Sequence, residues 1–217
     1  GSRTCRESYV GDDLLPEEVQ QRSNFIKLND HRCWQWDSAE LTLLINDLDI
    51  EREPVETKRR LAFVPDDPPL FNDLTVNEHL AFMATAYRVA DAESKADRLL
   101  DSFELSTKRE TSACDLSRGM RQKLALCCAL LYDPVAILLD EPMTWLDPRG
   151  IRTIKQMIAE RVERGAAVIV SSHLLAMVED ICTHLLILAE GRRRLCGPTE
   201  ELKQTFAGDA QMASLEE

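Results

Sequence analysis

Residues 135–148 read VAILLDEPMTWLDP, and the reading of this stretch decides the fold. The apolar run from Val135 to Leu139 is short and unbroken, which predicts a strand buried on both faces rather than one with a wet side. It hands Asp140 and Glu141 to its carboxyl end, and a second acidic turn follows at Asp147. An aspartate placed there can hold a divalent metal, and the neighbouring glutamate can polarise a water for attack on a phosphate. Surface acids at a strand end make the same pattern, so the motif by itself leaves both readings open.

Working outward, the next segments repeat the theme. Arg149 to Arg164 places Ile151, Ile154, Ile158 and Val162 on one helical face, and Gly165 stops it. AAVIVSSH (166–173) predicts a second buried strand, LLAMVEDIC (174–182) a helix, and THLLILAEGRRRLCG (183–197) two strands around a Glu-Gly turn. Upstream, SRGMRQKLALCCALL (117–131) predicts a helix opened by Ser117 and closed before Asp133-Pro134. Apolar strands alternating with helices imply an α/β fold with a parallel sheet. Ligands of such sheets sit beyond the carboxyl ends of the strands. Asp140-Glu141 and Ser171-Ser172-His173 both fall at such ends, which marks a candidate site.

Before this core the pattern changes. LAFVPDDPPLF (61–71) reads as a strand entering a proline-rich turn, and Thr75 to about Ser106 reads as a helical insertion. LTLLINDLDI (41–50) gives two short strands around Asn46-Asp47, and PVETKRR a short helix begun at Pro54. Residues 1–42 show no steady period and stay unassigned, with the opening Gly1-Ser2 read as a cloning scar. The predicted organisation is a core of residues 43–73 and 116–217, with a helical subdomain at 74–115.

A net charge of -12 argues against a nucleic-acid partner. Seven cysteines without a C-x-x-C pair give no zinc or disulfide framework, so reduced thiols and the cytosol are expected. No apolar run approaches the roughly 18 residues that span a bilayer, so a membrane role requires a partner. The turn LSRGMRQ (116–122) combines a hydroxyl, a glycine and helix N-terminal amides, a combination that suits an anion. Simple N-capping by Ser117 explains the serine equally well. A lone histidine after a strand, such as His173, also has a purely structural reading.

Order and spacing connect these signals. LSRGMRQKL (116–124) resembles the signature motif of the ATP-binding cassette (ABC) transporter ATPases, with Arg118 where glycine is commoner. AILLDEP is similar to that family's Walker B strand, WLDP (145–148) to its D-loop, and His173 stands at the position of its switch histidine. FVPDDPPLFNDLTVNEHL (63–80) is similar to the Q-loop region and the start of the helical subdomain. The resemblance covers about residues 43–205. It implies a P-loop NTPase-like α/β fold with an inserted helical subdomain and an atypical N-terminal part. It implies ATP and Mg²⁺ as cofactors, with Asp140 and Asp66 toward the metal and Glu141 and His173 as catalytic residues. Ser117, Arg118, Gly119, Met120 and Asp147 become nucleotide-binding candidates. The implied partners are a membrane-spanning permease and a second ATPase subunit, at the inner face of the cell membrane. The form Met-Arg-Gln after the signature resembles export systems.

Two departures stand out. Asp66 occupies the place of the Q-loop glutamine, keeping an oxygen for Mg²⁺ on a shorter, charged arm. No G-x-x-x-x-G-K-[ST] occurs in the 217 residues, and no glycine lies between Gly11 and Gly119. That motif's glycines let backbone amides wrap the phosphates and its lysine neutralises them. Trp34, Trp36 and Tyr9 are adenine-stacking candidates by residue type alone. The expectation is an ATPase subunit impaired by a disrupted gene, with family sequence resuming near Leu43. The alternatives are a non-hydrolysing partner that donates its signature in trans, and a soluble cassette outside transport. Loss of the P-loop helix is expected to uncover an apolar face of the central sheet, to be covered by residues 1–42.

Overall fold

A computed structural model describes residues 26–28, 43–189 and 192–202. These divide between two compact units, one holding the described residues up to His173, the other those from Leu174 onward.

The first unit opens with an antiparallel sheet of β1 (Ile26–Leu28), β2 (Leu43–Ile45) and β3 (Leu48–Asp49) in that order. The turn joining β2 to β3 uses Asn46 and Asp47 at φ 53° and 62°, a left-handed pair that these two residue types tolerate well. α1 (Pro54–Lys58) begins at its proline as expected and leads into β4 (Leu61–Val64). β5 (Ala136–Asp140) pairs in parallel with β4 on one side and with β6 (Ala167–Ser171) on the other. The parallel sheet that the DEP strand implied is therefore present, with β5 at its centre.

The predicted helical insertion consists of two helices. α2 (Val76–Tyr87) starts at a full capping box, with Thr75 and Glu78 bonding each other's backbone amides, and α3 (Ala92–Ser102) follows. Between them Arg88 and Asp91 both take φ 53°, which ends the first helix without glycine or proline. That is why composition did not reveal the break. α4 (Arg118–Leu130) packs on β4, α2 and α3, and its Leu124, Leu126 and Leu130 are buried. α5 (Pro148–Glu163) runs beside β6 and ends before Gly165, whose φ is 93°.

The two faces of the parallel sheet differ. Ala62, Val64, Ile137 and Leu139 are almost fully buried. On the opposite face Phe63, Leu138 and Ile169 lie in register across the three strands, with Phe63 60% and Ile169 49% exposed. This corrects the expectation that both strands are buried on both faces: β5 nearly is, and β6 is not. Among the described residues β6 pairs only with β5, and its outward side chains such as Ile169 lie on the less covered face of the sheet. Most of the segment expected to cover this face (1–25 and 29–42) lies outside the described residues.

In the second unit, α6 is a single turn, Leu175–Val178, shorter than the helix predicted over 174–182. β7 (His184–Ala189) and β8 (Arg192–Pro198) form the expected antiparallel pair. Their connecting residues lie outside the described set. Thr199 fastens the base of this hairpin, its hydroxyl donating to the Cys182 carbonyl at 2.7 Å.

Candidate functional site

The carboxyl ends of β5 and β6 meet because the two strands run parallel and in register up to Asp140 and Ser171. The Glu141 amide donates to the Ser171 carbonyl at 3.0 Å, carrying the ladder one step past the strand. Glu141 then takes φ 47°, a left-handed conformation that strains a non-glycine residue by about 1–3 kcal/mol. Its carboxylate is held from several directions. Oε1 accepts from the His173 amide at 2.8 Å and meets His173 Nδ1 at 2.7 Å. Oε2 accepts from the Ser172 and Thr144 hydroxyls, each at 3.2 Å. Burial alone would raise the Glu141 pKa, but the bonds from His173 and Ser172 outweigh it and leave it below the ordinary value. Asp140 accepts from the Ser171 hydroxyl at 2.5 Å, which fixes the direction of its carboxylate.

The structure thus brings Asp140, Glu141 and His173 together. Ser171, Ser172 and Thr144 join them as orienting groups; the first two were marked by their place at a strand end, while Thr144 carried no sequence signal.

The signature turn lies at the head of α4. Ser117 has extended backbone and accepts from the Met120 amide at 3.3 Å, so its capping reading holds. A Cβ at Gly119 would lie 2.5 Å from the Trp145 carbonyl oxygen, so a side chain there would force backbone apart. Asp147 caps α5 by accepting from the Gly150 amide at 3.1 Å and pairs with Lys123 Nζ at 2.9 Å. The Lys123 bond, followed by that amide, holds the Asp147 pKa below its ordinary value. Asp66 bonds with Arg118 and Trp145. Among the described residues no cluster of three or more His, Cys, Asp or Glu is arranged to hold a metal ion. Trp34, Trp36 and Tyr9 lie outside the described residues.

The residues fit half of a site for magnesium and a nucleoside triphosphate. Asp140, ending a strand with a fixed carboxylate, suits a divalent cation, and Glu141 stands beside it. Among the described residues no phosphate cradle accompanies them: the described glycines stand singly in α4, in α5, in the turn before β6 and in β8, and none forms a glycine-rich loop. The triphosphate itself is therefore not fitted by these residues alone.

Comparison with known proteins bears on the family and the fold. The family described as ABC transporter matches residues 31–144, starting upstream of Leu43, where the motif resemblance begins. The ABC-type transporter ATP-binding protein EcsA of Bacillus subtilis is 31% identical over 164 residues, 75% of this chain and 66% of that protein. The ABC transporter ced-7 of Caenorhabditis elegans is 34% identical over 160 residues, 73% of this chain but 9% of the relative. The chain thus spans just under two thirds of one relative's length and a small part of the other's. A solved ATP-binding subunit of an ABC transporter superposes with a TM-score of 0.73 at 31% identity, covering 79% of this chain and 72% of that one. CbiO1 of Clostridium perfringens, described as part of the complex cbiONQ, shares the fold at a TM-score of 0.63 and 20% identity, over 91% and 78% of the two chains.

Proposed function

The chain belongs to the ABC transporter family, and from that premise we propose that it is a cassette subunit of a transporter whose nucleotide site is incomplete on its own chain. One observation carries the reading. The hydrolytic corner of Asp140, Glu141 and His173 is assembled and hydrogen-bonded, while the sequence of 217 residues contains no G-x-x-x-x-G-K-[ST] motif. In this reading Asp140 is the magnesium carboxylate, Glu141 the catalytic base, and His173 the group that orients it. Asp66 is left out of the metal assignment, because its carboxylate is engaged by Arg118 and Trp145.

A second reading, donation of the signature turn to a nucleotide on a partner cassette, is supported by the geometry of α4. Ser117 and Gly119 stand at the head of a 13-residue helix whose N-terminal amides and dipole favour an anion. A membrane-spanning partner is supported by an apolar groove of about 400 Å³ beside β4 and α2. Phe63, Phe71 and Phe82 line it and are each at least half exposed, which is uncommon for a face meant to stay in water. No helix among the described residues is long and apolar enough to cross a membrane.

Titration of the purified chain with MgATP tests the central claim. The expected dissociation constant is no tighter than about millimolar, roughly 4 kcal/mol of binding free energy. A micromolar value would overturn it.

A further inference from the structure

Two positions that differ from the family pattern, Asp66 in place of glutamine and Arg118 where glycine is commoner, meet in space. Arg118 Nη2 lies 3.3 Å from Asp66 Oδ2, and its guanidinium carbon sits 3.5 Å from the Trp145 ring centroid. The Trp145 indole N–H donates to the other Asp66 oxygen, Oδ1, at 2.9 Å. One carboxylate therefore bridges a guanidinium and an indole that also stack on each other. The ring joins the end of β4, the head of α4 and the turn after β5, at sequence separations of 52 and 79. Gly119 lies under it, with no room for a Cβ against the Trp145 carbonyl.

We propose that Arg118 is a positioning residue, which with Asp66 and Trp145 ties the Ser117–Gly119 turn to the turn after β5 and sets the direction in which that turn presents its amides. An exposed ion pair alone stabilises little, because water screens it and two long side chains must be ordered. Here the flat guanidinium is fixed on its face by the indole and at its edge by the carboxylate, which a lysine cannot reproduce. The charge on Asp66, absent from the family's glutamine, is what the arginine requires. What the tied turn presents its amides to rests on the reading above; the tie itself does not.

Hydrogen exchange on the full chain, followed by NMR, tests it. Arg118→Gly and Asp66→Ala each are expected to speed exchange about tenfold at the Met120 and Arg121 amides and the Trp145 indole N–H, through local opening of the turn. Amides from Leu126 to Leu130 stay unchanged. The double variant adds nothing to either single one, since both break the same ring. Arg118→Lys, which keeps charge but has no flat face, leaves the indole unprotected. Additive effects, exchange rising evenly along α4, or an indole N–H indifferent to Arg118 would each overturn the proposal. A wild-type chain that binds MgATP tightly removes the incomplete-site reading and leaves these exchange rates as they are, so the two claims fail separately.

Discussion

β4 and β5 are neighbours in one parallel sheet, and each passes a carboxylate beyond its carboxyl end, yet the two acids are held in different ways. Glu141 is half-buried and bonded by groups one strand away: the His173 amide and ring, the Ser172 hydroxyl, and Thr144 just downstream. Asp66 is half-buried too, but it is bonded by residues of two distant motifs. The first arrangement follows from sheet register, because parallel strands in step deliver their ends to one place. The second depends on how helices and turns pack. A corner of the first kind survives most changes at a distance, whereas the second opens when any one of its three members moves.

The comparison can be broken at the element both corners share. Ile137 is 1% exposed in the central strand, and Ile137→Ala removes buried methyl groups at a destabilisation of about 2–5 kcal/mol. Urea unfolding should show this loss, and exchange should rise at both corners together. A smaller change separates them. Gly119→Ala pushes a Cβ toward the Trp145 carbonyl and should destabilise by about 1–3 kcal/mol, as overpacking does. It should expose the Trp145 indole while leaving the Glu141–His173 bonds intact; a thermal midpoint equal to wild type would refute the close contact.

The smallest effect, about 1 kcal/mol at neutral pH, is expected for Glu141→Gln, through weakened charge-assisted bonds. Burial raises the Glu141 pKa, but bonds from His173 and Ser172 more than offset it, so the folded value lies below the unfolded one. The stabilisation is therefore present above the ordinary carboxylate pKa and is lost as pH falls through the lower, folded value. Unfolding measured across that acid range should show the difference between wild type and variant shrinking as pH falls. A difference that stays constant would mean that the Glu141 charge contributes nothing.

Much of the core was legible because local rules govern it. The run from Ala136 to Leu139 is too short for a helix and too apolar for a wet strand, and Asp140 closes it. Ser117 and Gly165 punctuate helices by their own hydrogen bonding and backbone freedom. The break between α2 and α3 was hidden because Arg88 and Asp91 adopt left-handed backbone that neither residue announces. The exposure of β6 was hidden as well, since an apolar strand reads the same whether or not both faces of its sheet are covered. Lys123 and Asp147 show why ion pairs escape the reading: each side chain suits a solvent face, and only the approach of α4 to α5 joins them.

By itself the sequence determined the alternation of strand and helix, the carboxylates at the ends of β5 and the absence of a glycine-rich phosphate loop from these 217 residues. Those are properties of neighbouring residues: periodicity, caps, and the backbone freedom of glycine. Only the tertiary structure decided which groups the acids meet. Asp66 reads from the motif as a metal approach, and in space it completes a ring with Arg118 and Trp145. The physical reason is that hydrogen bonds and ion pairs depend on distance and direction between side chains, which chain separation does not encode.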